Sequence, residues 1–384
     1  MMPNVPVRLF GHVFAPNDRG LAVVTVSGGR IAEITPATRR PLGAIGGRGL
    51  RLLPGLIDIQ MNGAFGEDFS SPTAALARPC QGLPRYGVTA FLPTVISSPT
   101  DAYASCLENL RGACPSGGAV PIGVHVEGPF LSPARSGTHE RERLREPSWS
   151  EVSSWLPSGV LRIVTMAPEL SGALAVIRKL KKEGVVAAIG HSDATWGEAR
   201  LAVEAGATLG THLFNAMRPF SHHDPGIAGY LLASHVPVTV IADGIHLALD
   251  TLRLIARAKC PSELIVVTDA LAGMGTTAPT FELAGQVLVR DGDVARRSDG
   301  TLSGSLLPLN LAVRNLVDVG VRLEDAVAAA TANPARVIGD ASRGRIRVGG
   351  RGDVVLMDRD WKVVQTLVGG KLAYQLDSPA PVSS

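Results

Sequence analysis

Eight short apolar runs, most of them followed by a helical pattern, constrain the fold of this chain more than any other feature. They are GLIDIQMNG (55–63), VTAFLPTV (88–95), PIGVHVEG (121–128), VLRIVTMAPE (160–169), VVAAIGHSD (185–193), ATLGTHLF (207–214), VTVIADGIH (238–246) and LIVVTDA (264–270). Near-continuous Val/Ile/Leu character is what parallel strands buried on both faces require. Segments such as GALAVIRKLKKEG and WGEARLAVEAG carry helical patterns between them. Eight such alternations predict a closed barrel. A doubly wound open sheet would want a Gly-rich phosphate loop after its first strand, and GAFGED is a poor match.

The two chain ends read differently. VRLFGHVFA, LAVVTVSGGRIAEI and GGRGLRLLPG near the start, and GRIRVGGRGDVVLMD and WKVVQTLVGGKLAY near the finish, are turn-rich and strand-like. The expected fold class is therefore α/β: a (β/α)8 TIM-like barrel with a small β-sandwich domain formed by both chain ends. The expected division is 1–54 for the first part of the sandwich, 55–342 for the barrel and 343–384 for the second part. A length of 384 residues suits a barrel with an accessory piece, and 45% hydrophobic against 18% charged residues supports a large core.

Composition also narrows the setting. Net charge is +3 with Arg and Lys scattered, which argues against nucleic acid as a partner. No apolar run reaches the roughly 20 residues that cross a bilayer. MMPNVPVRLF lacks the basic stretch and apolar core of a secretory leader. Cys80, Cys106, Cys114 and Cys260 show no CxxC spacing, so reduced thiols and a cytoplasmic location are expected.

The functional signal lies where the runs end. The third holds His125 and Glu127, the fifth His191 and Asp193, the sixth His212, the seventh Asp243 and His246, and the eighth Asp269. In a barrel, C-terminal strand ends converge on one rim, where catalysis is placed. The chain has nine histidines. Any single one could be a satisfied core residue, but four of them fall on this rim, and coincidence over four strands argues against that reading for the set. Glu127, His191 and His212 offer two imidazole nitrogens and a carboxylate oxygen, a set suited to Zn²⁺ with an open position for water. It would also accept Fe²⁺ or another divalent ion. Asp269 is then the proton carrier beside the metal-bound water. An N-cap role for Asp269 would need a helix after it, and ALAGMG starts one poorly.

PGLIDIQMNG, HVEGPFL, GHSDAT, THLFNAM, IADGIH, VTDA and TLSGS occur along the chain in the order that resembles the N-acetylglucosamine-6-phosphate deacetylase family of the amidohydrolase superfamily. The resemblance spans nearly the whole chain. It implies removal of the acetyl group from an N-acetylated amino-sugar 6-phosphate, giving acetate and the free amino sugar. Many amidohydrolases place a histidine pair after strand one to hold a second metal. Here, as is common in the resembled family, Gln60 and Asn62 stand there. Strand four lacks a bridging lysine and ends in Pro168 and Glu169. One divalent ion per chain is implied, held by Glu127, His191 and His212.

The resemblance further implies that Asp269 acts as general base and then general acid, and that His139 hydrogen-bonds the acetyl carbonyl, with Thr138 beside it. It places Asn215 and Ala216 near the phosphate, His246 on the sugar, and Leu302, Ser303 and Gly304 over the acetyl group. It also suggests a homodimer. The sequence departs from the family pattern in NAMRPFSHHDPG, where His223 stands at the position of a phosphate-binding arginine. Histidine cannot fork onto a phosphate as arginine does. His223 with His222, or Arg218, could serve instead, or the substrate could be an unphosphorylated or epimeric N-acyl sugar. A non-catalytic binding barrel is a further alternative, and it predicts eroded metal ligands. All four polar groups are present.

Overall fold

The computed structural model describes residues 6–14, 18–112 and 114–376. Residues 1–5, on which part of the leader reading falls, lie outside the described residues.

The middle of the chain forms eight parallel strands in sequential order. They are β1 (Leu56–Met61), β2 (Val88–Val95), β3 (Val124–Glu127), β4 (Leu161–Met166), β5 (Val186–Ile189), β6 (Leu209–Gly210), β7 (Val238–Ile241) and β8 (Leu264–Val267). Their buried residues divide into two sets. Ile57, Ile59, Leu92, Ile163, Leu209, Ile241 and Ile265 form one cluster. The other set packs outward on the helices, against Leu107, Ile177, Leu231, Ile255 and Val313. This two-sided burial is why the strands read as unbroken apolar runs. Ala335, Val337 and Ile338, in and just after the helix Ala332–Val337, join the interior cluster, and Ile57 donates its N–H to the Ala330 carbonyl at 2.8 Å.

The helices follow from local chemistry. Trp196–Ala205 starts on a capping box: Thr195 Oγ1 accepts from the Glu198 N–H, and Glu198 accepts from the Thr195 N–H at 2.8 Å. Ala173–Lys182 buries Ala173, Val176, Ile177 and Leu180, the i, i+3, i+4, i+7 stripe. Lys179, Lys181 and Lys182 complement the negative end of its dipole.

The barrel closes between β1 and β8 without a regular ladder. Side chains and the residues just beyond the strands make the seam. Asp58, fully buried on β1, accepts from Thr268 Oγ1 at 2.5 Å and from the backbone N–H groups of Gln60 and Thr268. Beyond it, the Asp269 N–H donates to the Gln60 carbonyl at 3.0 Å, and the Asn62 and Gly63 N–H groups both donate to the Ala270 carbonyl.

The chain ends share one seven-stranded sheet. Ile45–Pro54 pairs in parallel with Val7–Phe14 and antiparallel with Val354–Met357, so first and last segments are woven together beside the barrel. A further four-stranded antiparallel sheet, Thr280–Leu283, Gln286–Asp291, Val294–Arg296 and Leu302–Ser305, follows β8. The sequence reading gave no sign of it, because its strands are short and half-exposed.

The expectation of reduced thiols is corrected at one pair. Cys80 and Cys114, 34 residues apart, are disulfide-bonded, with Cα atoms 6.1 Å apart. No spacing rule points to the pair. It arises because the segment before Val120–Pro121 returns onto the helix Ala77–Gly82, where the Ala119 N–H donates to the Cys80 carbonyl at 2.7 Å. Cys106 and Cys260 are free. Among the described residues, no helix is long and apolar enough to cross a membrane.

Candidate metal centre and active site

Three strand ends on the C-terminal rim bring Glu127, His191 and His212 together, all buried. His191 Nε2 and His212 Nε2 are 3.1 Å apart, and Glu127 Oε1 lies 3.3 Å from the first and 2.9 Å from the second. His191 Nδ1 lies 3.0 Å from the Arg135 carbonyl and can only donate to it, which leaves Nε2 as a bare lone pair in the neutral ring. Two imidazole nitrogens that face each other in a buried site, with a carboxylate oxygen between them, fit one divalent cation. Burial alone would raise the Glu127 pKa, but the adjacent imidazoles of His191 and His212 outweigh it and hold the carboxyl well below its ordinary range.

The backbone at these positions is unusual. His191, His212 and Asp269 have φ of +47°, +29° and +51°, as do Phe214 and Ala216 at +74° and +48°. Non-glycine residues in this region carry a cost of about 1–3 kcal/mol each and cluster at functional sites. The turns are held from behind. Glu169 accepts from Ser192 Oγ at 2.7 Å and from the Asp193 N–H at 2.6 Å. Arg135 grips Asp193 at 2.7–2.8 Å with the same residue whose carbonyl orients His191.

Asp269 sits beside this cluster, and Gln60 and Asn62 connect the two. Gln60 Nε2 donates to Glu127 Oε1 at 3.0 Å and to Asp269 Oδ1 at 3.2 Å, and Asn62 Nδ2 donates to the same Asp269 oxygen at 2.7 Å. The amide oxygens, Gln60 Oε1 and Asn62 Oδ1, are buried without a protein partner. Amide donors thus stand where a histidine pair would ligate a second ion. Burial and the Glu127 carboxylate raise the Asp269 pKa, against the Asn62 hydrogen bond.

His139 is buried on the far side of the cluster, with Nε2 3.9 Å from Glu127 Oε2. Its Nδ1 accepts from the Ser97 N–H at 3.2 Å and lies 2.8 Å from Ser97 Oγ. An accepting Nδ1 puts the ring proton on Nε2, facing the site. Burial, then the neighbouring His191, pushes the His139 pKa down to about 3, so the ring is a neutral donor. Ser97 is a residue that sequence reasoning missed. The signal was its place just past the end of β2, on the same rim.

The remaining predicted residues fall around this centre. Thr138 Oγ1 lies 2.9 Å from Ser303 Oγ, and Gln286 Nε2, also missed, donates to the Thr138 carbonyl at 3.2 Å. Leu302, Ser303 and Gly304 form the strand that returns to the rim, where the Ser305 N–H donates to the Asp269 carbonyl at 3.1 Å. Gly304, at φ +60°, packs so closely that a Cβ would stand 2.7 Å from that carbonyl. His246 Nδ1 donates to Asp243 at 2.6 Å, leaving Nε2 free. Burial alone would raise the Asp243 pKa; the His246 contact outweighs it and lowers it. Asn215 and Ala216 lie on the turn that runs beside His191, with the Ser192 N–H donating to the Ala216 carbonyl at 3.0 Å.

One expectation is corrected. His125 is not a rim group: Nε2 bonds Thr165 Oγ1 at 2.7 Å and Nδ1 faces the Ile59 carbonyl, a satisfied histidine inside the barrel whose burial lowers its pKa to about 4. Arg218, the other candidate for the phosphate, pairs with Asp224 at 2.6 Å and with Asp193 at 3.5 Å. His222 and His223 are exposed, their rings 3.9 Å apart, and among the described residues no hydrogen bond or ion pair ties His223 to the buried cluster.

Comparison with known proteins adds an independent line. Residues 51–373 match the amidohydrolase family. The N-acetylglucosamine-6-phosphate deacetylase of Bos taurus is 38% identical over 352 residues, covering 87% of this chain and 86% of the relative. The enzyme of the same name from Bacillus subtilis is 36% identical, with 84% of each chain covered. Among solved structures, a mutant N-acetyl-D-glucosamine-6-phosphate deacetylase from Mycobacterium smegmatis, in complex with N-acetyl-D-glucosamine-6-phosphate, superposes with a TM-score of 0.89 at 30% identity. The match covers 96% of this chain and 99% of that one.

Proposed function

The chain belongs to the amidohydrolase family, among its N-acetylglucosamine-6-phosphate deacetylases, and from that premise we infer that it hydrolyses N-acetyl-D-glucosamine 6-phosphate to D-glucosamine 6-phosphate and acetate. The observation that carries the reading is the convergence of Glu127, His191 and His212 within touching distance of one another, with the half-buried carboxylate of Asp269 tied to Glu127 through Gln60.

Glu127, His191 and His212 would hold one catalytic divalent ion per chain. Two imidazoles and a carboxylate favour Zn²⁺, with Fe²⁺ the competing occupant. When bound, such an ion acts as a Lewis acid that acidifies water and polarises a carbonyl. Asp269 takes the proton of the attacking water on Oδ1 or Oδ2, held in place by Asn62 and Gln60. A pKa raised by burial and by Glu127 makes it a stronger base for that transfer. His139 offers a hydrogen bond from its Nε2–H to the acetyl oxygen as negative charge develops there, an effect worth roughly 3–4 kcal/mol for one well-placed donor. Asp269 then returns the proton to the nitrogen of the departing amino sugar. Thr138 and Ser303 bound the acetyl pocket, and His246 presents Nε2 to a sugar hydroxyl. Asn215 and Ala216 border the phosphate end, with His223 in place of an arginine. We further read the protein as a cytoplasmic homodimer serving amino-sugar catabolism.

A second reading, an unphosphorylated or epimeric N-acetylhexosamine, is favoured by two observations: Arg218 pairs with Asp193 and Asp224, and His223 is exposed. Acetate release across a panel of N-acetylhexosamines, each with and without the 6-phosphate, separates the two. The main reading expects kcat/KM at least tenfold higher for the phosphorylated gluco sugar. Equal or higher values for a free sugar or another epimer would overturn it.

A further inference from the structure

A second metal-ligating cluster lies on the opposite face of the barrel. His235, Cys260 and Glu263 bring an imidazole nitrogen, a thiol sulfur and a carboxylate oxygen within 4.8 Å of one another. His235 lies in the segment before β7, and Cys260 and Glu263 flank the turn Pro261–Glu263 before β8. Both segments feed the N-terminal ends of parallel strands, so the cluster is separated from the catalytic rim by the length of the barrel.

We propose that His235, Cys260 and Glu263 form a second divalent-cation site, of Zn²⁺ type, that clips the β7 entry to the β8 entry. Thiolate, imidazole and carboxylate together are a donor set that Zn²⁺ prefers over the hard cations Mg²⁺ and Ca²⁺. The site is built before any ion arrives. His235 Nδ1 is already 2.8 Å from Glu263 Oε1. Lys259, whose side chain is fully buried, donates to the carbonyls of Leu231 at 3.1 Å and Val236 at 2.9 Å, and also to that of Ser234, and so fixes the segment that carries His235. The same ammonium lies 3.3 Å from Glu263 Oε2, so the ion would take Oε1 in place of its present contact with His235 Nδ1. Asn333 ties down the other half by donating to the carbonyls of Pro261 and Leu264, each at 2.8 Å. Binding displaces the Cys260 thiol proton to solvent and leaves one coordination position for water, accessible because the His235 side chain is 91% exposed.

The catalytic cluster contains no sulfur, which gives the second site a signature of its own. Co²⁺ is added to the purified enzyme with its catalytic ion in place and a non-thiol reductant present, and the near-ultraviolet thiolate-to-cobalt absorption is followed. The expected result is a band that saturates at one ion per chain and is bleached by Zn²⁺. The band should be absent in Cys260→Ser and need at least tenfold more Co²⁺ in His235→Ala, with deacetylation by Cys260→Ser within twofold of wild type. No band in the wild-type protein, or a band that survives Cys260→Ser or is unchanged in His235→Ala, would overturn the proposal. Turnover is not the readout, so this outcome is independent of the deacetylase reading.

Discussion

Asn62 Nδ2 donates to Asp269 Oδ1 at 2.7 Å across the seam where the first and last barrel strands meet. The contact stabilises the ionised carboxylate in a site where burial and Glu127 favour the neutral acid. A base must be ionised to act, so losing the donor should move the acidic limb of kcat/KM to higher pH. Asn62→Ala is expected to shift that limb upward by about one pH unit, the worth of one hydrogen bond to a charged group. A profile that overlays the wild type would remove Asn62 from the control of Asp269.

His139 makes a separate prediction. Its accepting Nδ1 and its pKa near 3 make it a neutral Nε2–H donor throughout the working range. His139→Ala should lower kcat by about 10²–10³, the cost of one lost oxyanion donor. His139→Gln, which keeps a donor near the same place, should recover part of the loss. Neither change should move the pH limbs. If the alanine variant altered the limbs, His139 would be acting as an acid or base.

Asp58 predicts a stability effect. Burial raises its pKa from 3.8 to about 7 in the folded chain. Below about pH 4 the carboxyl is protonated in both states. As pH rises toward 7 the unfolded chain ionises first, so Asp58 progressively disfavours folding, and above that range the effect is level. Measured against Asp58→Asn, the wild-type protein should lose relative stability between pH 4 and 7, by at most about 4 kcal/mol. Thermal unfolding of the two proteins across that range gives the answer; parallel curves would mean that the Asp58 carboxylate ionises freely within the seam.

His223→Arg tests the phosphate end. If His223 faces the 6-phosphate, a permanent guanidinium should lower KM for the phosphorylated sugar by about tenfold while leaving the free sugar unchanged. No change, or weaker binding, would place the phosphate elsewhere.

The sequence made the barrel legible because buried parallel strands must be apolar on both faces, and because β5 to β8 close on charged or imidazole groups within a few residues. The same logic located Glu127, His191, His212 and Asp269. It misplaced His125, since a period of two puts alternate residues of β3 inside the barrel, and a polar residue there satisfies itself on Thr165 and Ile59. Ser97 and Gln286 were out of reach, because their roles lie in contacts with His139 and Thr138 that are 42 and 148 residues away. The Cys80–Cys114 pair was equally hidden, since neither its spacing nor its neighbours form a motif.

The most direct test of the account is Asp269→Asn, assayed for acetate release from N-acetyl-D-glucosamine 6-phosphate alongside the metal content of the purified protein. Asparagine keeps the shape and can still bond Gln60, but it cannot carry the proton. The account predicts that kcat falls by about 10³ or more while bound metal is unchanged. Near wild-type turnover with the metal in place would contradict it.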